Sequence, residues 1–277
     1  MPFALVLLAV CLAANVLLGP LGASMIQWRV SAIGINQTYG ADAVSLLVVT
    51  PAAVVAAVLW RARHRLAAPV ALGVGLVTLY YAVAETLGGD YVRYAGNSER
   101  FFLLFLALIT LSWIVAVRAW TSLDREPPRP PLWLSRIFAL LLLLVAALLG
   151  LSWTAQLVPI AVTGALGPEY LDSPSAFWTI RIVDLGFIVP VAIWTGYGLW
   201  QGRGSAIKAA YALATFLTMQ GASVFAMGLV MLWRQDPTAS PAFFVALVPI
   251  VIAMTALTAR LLASYSRLGV PLGAGEA

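Results

Sequence analysis

Asp42, Tyr81, Glu85, Arg181, Asp184 and Gln220 are residue types that can do chemistry, and each stands in or at the edge of a long run of Leu, Val, Ala and Ile. A charged side chain at the centre of a membrane helix costs about 2.5–3.5 kcal/mol on the insertion scale, so such groups face a partner, an interior or a cavity. Carboxylates, a guanidinium, a phenol and an amide together can bind a small polar or cationic ligand. With water, the carboxylates could also hold a hard cation such as Ca²⁺ or Mg²⁺. Paired carboxylates can do acid and base work, but no nucleophile or metal set accompanies them here.

Spacing groups these residues. Tyr81 and Glu85 are one helical turn apart and share a face. Arg181 and Asp184 are three apart, also share a face, and can neutralise each other. Each has a structural reading too. Glu85 can snorkel to an interface beside aromatic residues. Asp42, placed just before a helix, would complement the helix dipole. Gln220 with Ser223, and Ser152 with Gln156, read as polar stripes that hydrogen-bond between helices.

Several chemistries are excluded. The single histidine, His64, lies in an Arg cluster, and one His with the one Cys cannot build a His/Cys metal site or a bis-histidine haem. There is no Lys within an apolar run to form a retinal Schiff base, no Gly-rich phosphate loop, no His-Glu-x-x-His and no Gly-x-Ser-x-Gly. The residues call for no cofactor and no catalytic set.

The elements that must position these groups are transmembrane helices. A chain 62% hydrophobic, only 10% charged and of mean hydropathy +0.96 is not an ordinary soluble domain. The apolar runs are continuous rather than alternating, which excludes a transmembrane barrel. In hydrocarbon every backbone amide must be satisfied within its own segment, so each run is a helix. At about 20 residues per crossing, eight helices are expected near 3–22, 43–60, 67–87, 101–118, 137–157, 179–200, 207–232 and 241–263. The first lacks the basic flank of a signal peptide and is retained, with Cys11 inside it as a small apolar residue.

Orientation follows from the basic residues. Arg61, Arg63, Arg65, Arg118, Arg125, Arg129, Arg136, Arg203, Lys208, Arg260 and Arg267 fall on one side; Arg29, Arg93, Arg100, Arg181 and Arg234 fall on the other, among Asp42, Glu85, Asp90, Glu99, Glu169, Asp172, Asp184 and Asp236. Both termini are then cytoplasmic. Arg outnumbers Lys fifteen to one, a composition associated with GC-rich bacterial genomes, so the expected location is the bacterial plasma membrane. The net charge of +5 is a topology effect and marks no nucleic-acid partner; the lipid bilayer is the partner it implies.

Shifted by 139 residues, the chain falls on itself: Pro51 on Pro190, Trp60 and Arg63 near Trp200 and Arg203, Asn15 on Thr154, Tyr81 on Gln220. Both prolines are expected to kink their helices. Four helices per unit put two copies in the same sense across the membrane, a parallel 4+4 repeat. The expected organisation is a first four-helix unit over 1–120, a stiff Pro-rich linker over 121–136, a second unit over 137–265 and a short cytoplasmic tail over 266–277. The long outer loops, rich in Gly, Trp and Tyr, can cap the bundle.

Whole segments resemble a family of uncharacterised bacterial multi-pass membrane proteins. The resemblance is carried by Tyr39-Gly40-Ala41-Asp42 leading to Pro51, Tyr80-Tyr81 followed by Asn97 and Phe101-Phe102-Leu103, and Val183-Asp184-Leu185-Gly186-Phe187-Ile188-Val189-Pro190. It covers residues 36–230 and implies an all-α, eight-helix fold with interest in Asp42 and Asp184, but no activity. Two functions are consistent with the residues. One is an outward-facing cavity between the halves, lined by Glu85, Asp184, Arg181, Tyr81 and Gln220, that binds or transports a small polar or cationic ligand. The other is a non-catalytic membrane assembly factor or partner-binding subunit whose charges are structural.

Overall fold

The computed structural model describes residues 1–268. Residues 269–277, most of the expected tail, lie outside them. The described chain is helical throughout its ordered elements: α1 (Pro2–Leu18), α2 (Ala32–Arg61), α3 (Ala67–Leu87), α4 (Phe102–Ser122), α5 (Leu132–Thr163), α6 (Pro174–Trp200), α7 (Gly204–Trp233) and α8 (Pro241–Leu268). Seven of the helices among the described residues, α2 to α8, are long and apolar enough to cross a membrane, and α1 is a shorter apolar helix of 17 residues. This is an all-α integral membrane protein. Prolines occupy the first turn of α1, α6 and α8, where a missing N–H costs nothing. Ser31 caps α2 by accepting from Gly34 N at 3.1 Å.

Two corrections to the expected elements matter. Helix α2 starts at Ala32 rather than 43, so Asp42 lies well inside it and cannot be serving the dipole of its N-terminus. The segment Asn36-Gln37-Thr38-Tyr39 is too polar to be recognised by hydropathy, yet it is held helical by packing on α7. At Gly40 the contact is so close that a Cβ would stand 2.3 Å from Met227 N, and only glycine permits it. Secondly, α5 runs on to Thr163 and α6 begins at Pro174, leaving a tight loop that carries the short helix Pro168–Asp172.

The prolines of α2 and α6 follow π turns. Ser45–Val49 and Asp184–Ile188 are wound with the wider i→i+5 pattern, and Pro51 and Pro190 come directly after them in the first turn of the α-helical continuation. A proline removes one N–H and pushes on the carbonyl a turn earlier; the wider turn absorbs both. Thr50 Oγ1 donates to Ser45 O at 2.8 Å across the first of them.

Packing follows a regular scheme. Helix α1 lies on the second half of α2 and on α4, as α5 lies on the second half of α6 and on α8. Helices α3 and α7 pack on each other, and each receives the first half of the opposite π-turn helix, α6 on α3 and α2 on α7. Small residues make the centre: Ala67, Ala68, Ala71, Gly73 and Gly75 on α3, and Ala206, Ala210 and Ala214 on α7. Large apolar side chains such as Leu47, Leu103, Leu151, Phe187 and Val245 point outward, as hydrocarbon allows and water does not.

The two ends of the bundle differ in charge. At the basic end the Pro-rich linker is pinned: Lys208 Nζ donates to Leu123 O at 3.1 Å, Tyr211 to Pro128 O at 2.8 Å and Tyr265 to Asp124 at 3.3 Å. At the acidic end the loops interlock into a cap. Asn97 accepts from Gln27 N at 2.8 Å and donates to Met25 O at 3.0 Å, Arg29 forks onto Glu99 at 2.6 and 2.9 Å, and Tyr94 donates to Asp172 O at 2.7 Å.

Candidate polar sites at the acidic end of the bundle

The polar residues singled out in the sequence gather into two clusters beneath this cap, and the successive tyrosines of α3 point one to each. Neighbours on a helix diverge by about 100°. Tyr81 donates to Asp42 on α2, and Tyr80 donates to Asp184 on α6 at 3.0 Å.

In the cluster around Asp184 both carboxylate oxygens are filled, and one buried donor, Arg181 Nε, is left without a partner among the described residues. Oδ1 accepts from Tyr80 and Oδ2 from Trp153 Nε1 of α5 at 2.8 Å. Arg181, only 4% exposed, does not pair with Asp184, although the two share a face of α6. Its Nη2 instead donates to Gln156 and to Glu169, and its guanidinium is sandwiched between the rings of Trp153 and Phe177, 4.2 and 3.9 Å from their centroids. The reason is positional: α6 leans its first half on α3, so Asp184 reaches Tyr80 while Arg181 faces α5 and the loop. An open cleft of about 250 Å³, lined by Gln156, Pro159, Leu166, Glu169 and Phe177, lies against the partners of Arg181.

The cluster around Asp42 is built differently. Asp42 and Asn15 are each 1% exposed, and Glu85 turns its carboxyl group inward. Asn15 Nδ2 of α1 donates to Glu85 Oε2 at 3.2 Å, and the Tyr81 hydroxyl donates to Asp42. Three acceptor oxygens are left over. Asn15 Oδ1, Asp42 Oδ2 and Glu85 Oε1 have neither a protein partner nor solvent contact among the described residues. No ion pair to either carboxylate exists among the described residues, so two acidic groups share one apolar interior without a cation.

Of the six residues named from the sequence, Asp42, Tyr81 and Glu85 come together in one cluster, Arg181 and Asp184 in the other. Gln220 on α7 is half-buried and makes no side-chain hydrogen bond among the described residues. Asn15, Tyr80, Trp153 and Glu169 complete the clusters and were not among the six. Asn15 had a signal, as the one amide in the apolar run Leu12-Ala13-Ala14-Asn15-Val16. Trp153 and Glu169 had none, because a tryptophan in a membrane helix and an acid in an outer loop are ordinary.

Outside the membrane-spanning segments, the fork from Arg29 holds the Glu99 carboxyl at about 2, below its usual range. Hydrogen bonds from Thr238 and Asn36 hold the Asp236 carboxyl low against the opposing effect of desolvation. No protein-family model, curated protein or solved structure matches this chain.

Proposed function

We propose that this protein binds, and through its two kinked helices transports, a small cationic ligand at the outward end of the bundle. The observation that supports this reading best is the Asp42–Glu85 cluster, two buried carboxyl groups with no basic partner and three unanswered acceptors among the described residues. Charge buried without a partner is costly enough that a protein keeps it for a purpose or neutralises it. The alternative, an assembly or partner-binding subunit with purely structural charges, describes the Asp184 cluster well and the Asp42 cluster poorly.

The wider frame is part of the proposal. Eight crossings, with α1 as the shortest, put both termini in the cytoplasm of a bacterial cell, because the basic end then faces inward. The two sets of four helices are read as copies of one parallel repeat, and so as members of the bacterial multi-pass family that the sequence resembles. In support, the π turns Ser45–Val49 and Asp184–Ile188 and their prolines are 139 residues apart, and the helix contacts correspond under the same shift. Paired π turns at equivalent places suit a moving element.

The test is a thermal-shift panel on the purified full-length protein with sodium, potassium, magnesium, calcium, ammonium, choline and putrescine, and with neutral sugars as controls. At least one cation should raise the unfolding temperature of the wild type and not of Asp42→Asn. A panel in which no cation acts, or in which Asp42→Asn responds equally, overturns the reading. Reporter fusions at Arg63, Arg129 and Arg203 should all read cytoplasmic; a periplasmic result at Arg129 overturns the topology.

A further inference from the structure

We infer that Asn15, Asp42 and Glu85 form a binding site for a hard metal cation held by oxygen ligands, a more specific claim that rests on the ligand reading above. The first ground is charge. Two carboxylates in one buried cluster repel each other in a medium that screens them poorly, and no Arg, Lys or His forms an ion pair with them among the described residues. The second is the leftover acceptor of a neutral residue. Asn15 is buried, its amide is committed to the cluster by the bond to Glu85, and its Oδ1 has no donor. Buried acceptors in folded proteins are almost always satisfied.

Ligand type follows from the atoms. Every free group is an oxygen, from carboxylates and an amide, the donor set of hard cations rather than of zinc or copper. The three oxygens come from three helices, α1, α2 and α3, so a bound ion would tie them together. Only two carboxylates take part, and no group of three His, Cys, Asp or Glu side chains occurs among the described residues. A proton accounts for less. Placed on Glu85 Oε1 it makes that atom a donor to one of Asn15 Oδ1 and Asp42 Oδ2, and the other still lacks a partner, which a cation bound by all three would not leave.

The experiment uses the full-length protein in detergent, freed of metal with a chelator in choline chloride near neutral pH. It is then titrated with NaCl, CaCl₂ or MgCl₂ at constant ionic strength while unfolding is followed by tryptophan fluorescence. One of the three should stabilise the wild type saturably, and Glu85→Gln, Asp42→Asn and Asn15→Leu should each weaken its half-saturation by about tenfold or more. Asp184→Asn should leave the half-saturation unchanged, and Asn15→Asp should preserve binding. If one variant fails to fold, the others carry the test. No metal response, or an equal one in the folded site variants, overturns the proposal. So does stabilisation by acid alone. A response only to ammonium, choline or putrescine that requires Asp42 would overturn the metal site while leaving the broader ligand reading intact.

Discussion

Adjacent tyrosines of α3 each hold a buried aspartate, yet Asp184 and Asp42 sit in opposite electrostatic situations. Asp184 has both oxygens filled by Tyr80 and Trp153, and the charge beside it is an arginine with partners of its own. Asp42 has one oxygen on Tyr81, the other without a partner among the described residues, and the Glu85 carboxyl group in the same cluster. Under the shift of 139 that relates the two π turns, Asp42 corresponds to Arg181 and Ser45 to Asp184. Asp42 and Arg181, 139 residues apart, thus carry opposite charge. Asp184 has its oxygens filled by Tyr80 of α3 and Trp153 of α5, whereas the cluster around Asp42 keeps acceptors that no side chain among the described residues fills.

That contrast predicts unequal consequences of mutation. The largest effect is expected from Asp184→Leu, which strands the Trp153 N–H and the Tyr80 O–H in the interior. Its cost should be about 2–5 kcal/mol, at about 1–3 kcal/mol for each buried donor left unsatisfied, read from the midpoint of denaturation in detergent. A small loss there would mean that the Asp184 cluster is not the structural one. Arg181→Met should cost less, about 1–2 kcal/mol, chiefly the stacking on Trp153 and Phe177. Its partner Glu169 is 57% exposed and is left facing water rather than stranded.

Asp42→Asn should behave in the opposite way. Measured without added cation, it should leave stability within about 1 kcal/mol of wild type or raise it, because it removes one of two like charges and keeps the acceptor for Tyr81. A loss as large as that of Asp184→Leu would erase the difference between the clusters.

The smallest effect belongs to the exposed fork of Arg29 on Glu99, a reference for both interiors. The hydrogen bond from Arg29 lowers the folded-state pKa of Glu99 from 4.5 to about 2. Its contribution to stability is therefore fully present above the ordinary value and is lost as pH falls from there towards about 2. The difference in melting temperature between wild type and Glu99→Gln should shrink over that window and also in high salt, which screens exposed pairs. An acid response of the same size in Glu99→Gln would assign it to other carboxyl groups.

Much of the architecture was legible before any coordinates. Continuous apolar runs in a chain with few charges leave helices as the solution, and charge asymmetry separates the two ends of the bundle. The like settings of Pro51 and Pro190 in two apolar runs were also visible, although the π turns that accompany both prolines were not. Helix α2 was misjudged at its start because Asn36-Gln37-Thr38-Tyr39 looks like loop to any hydropathy measure; contact with α7, through Gly40, keeps it helical.

The site was legible only as a set of residue types. Sequence placed Tyr81 with Glu85 by their spacing on one helix, and it marked Asp42 and Asp184 as groups needing a reason. It also put Arg181 with Asp184, whereas the fold turns them to different partners. Which tyrosine meets which aspartate depends on the rotation of α3 about its own axis, and that rotation is set by Gly73 and Gly75 packing on α7 and α4. Spacing along one helix is a local property, so the chain by itself determines it. Pairing between helices depends on how close and at what angle they pack, and only the assembled bundle decides that.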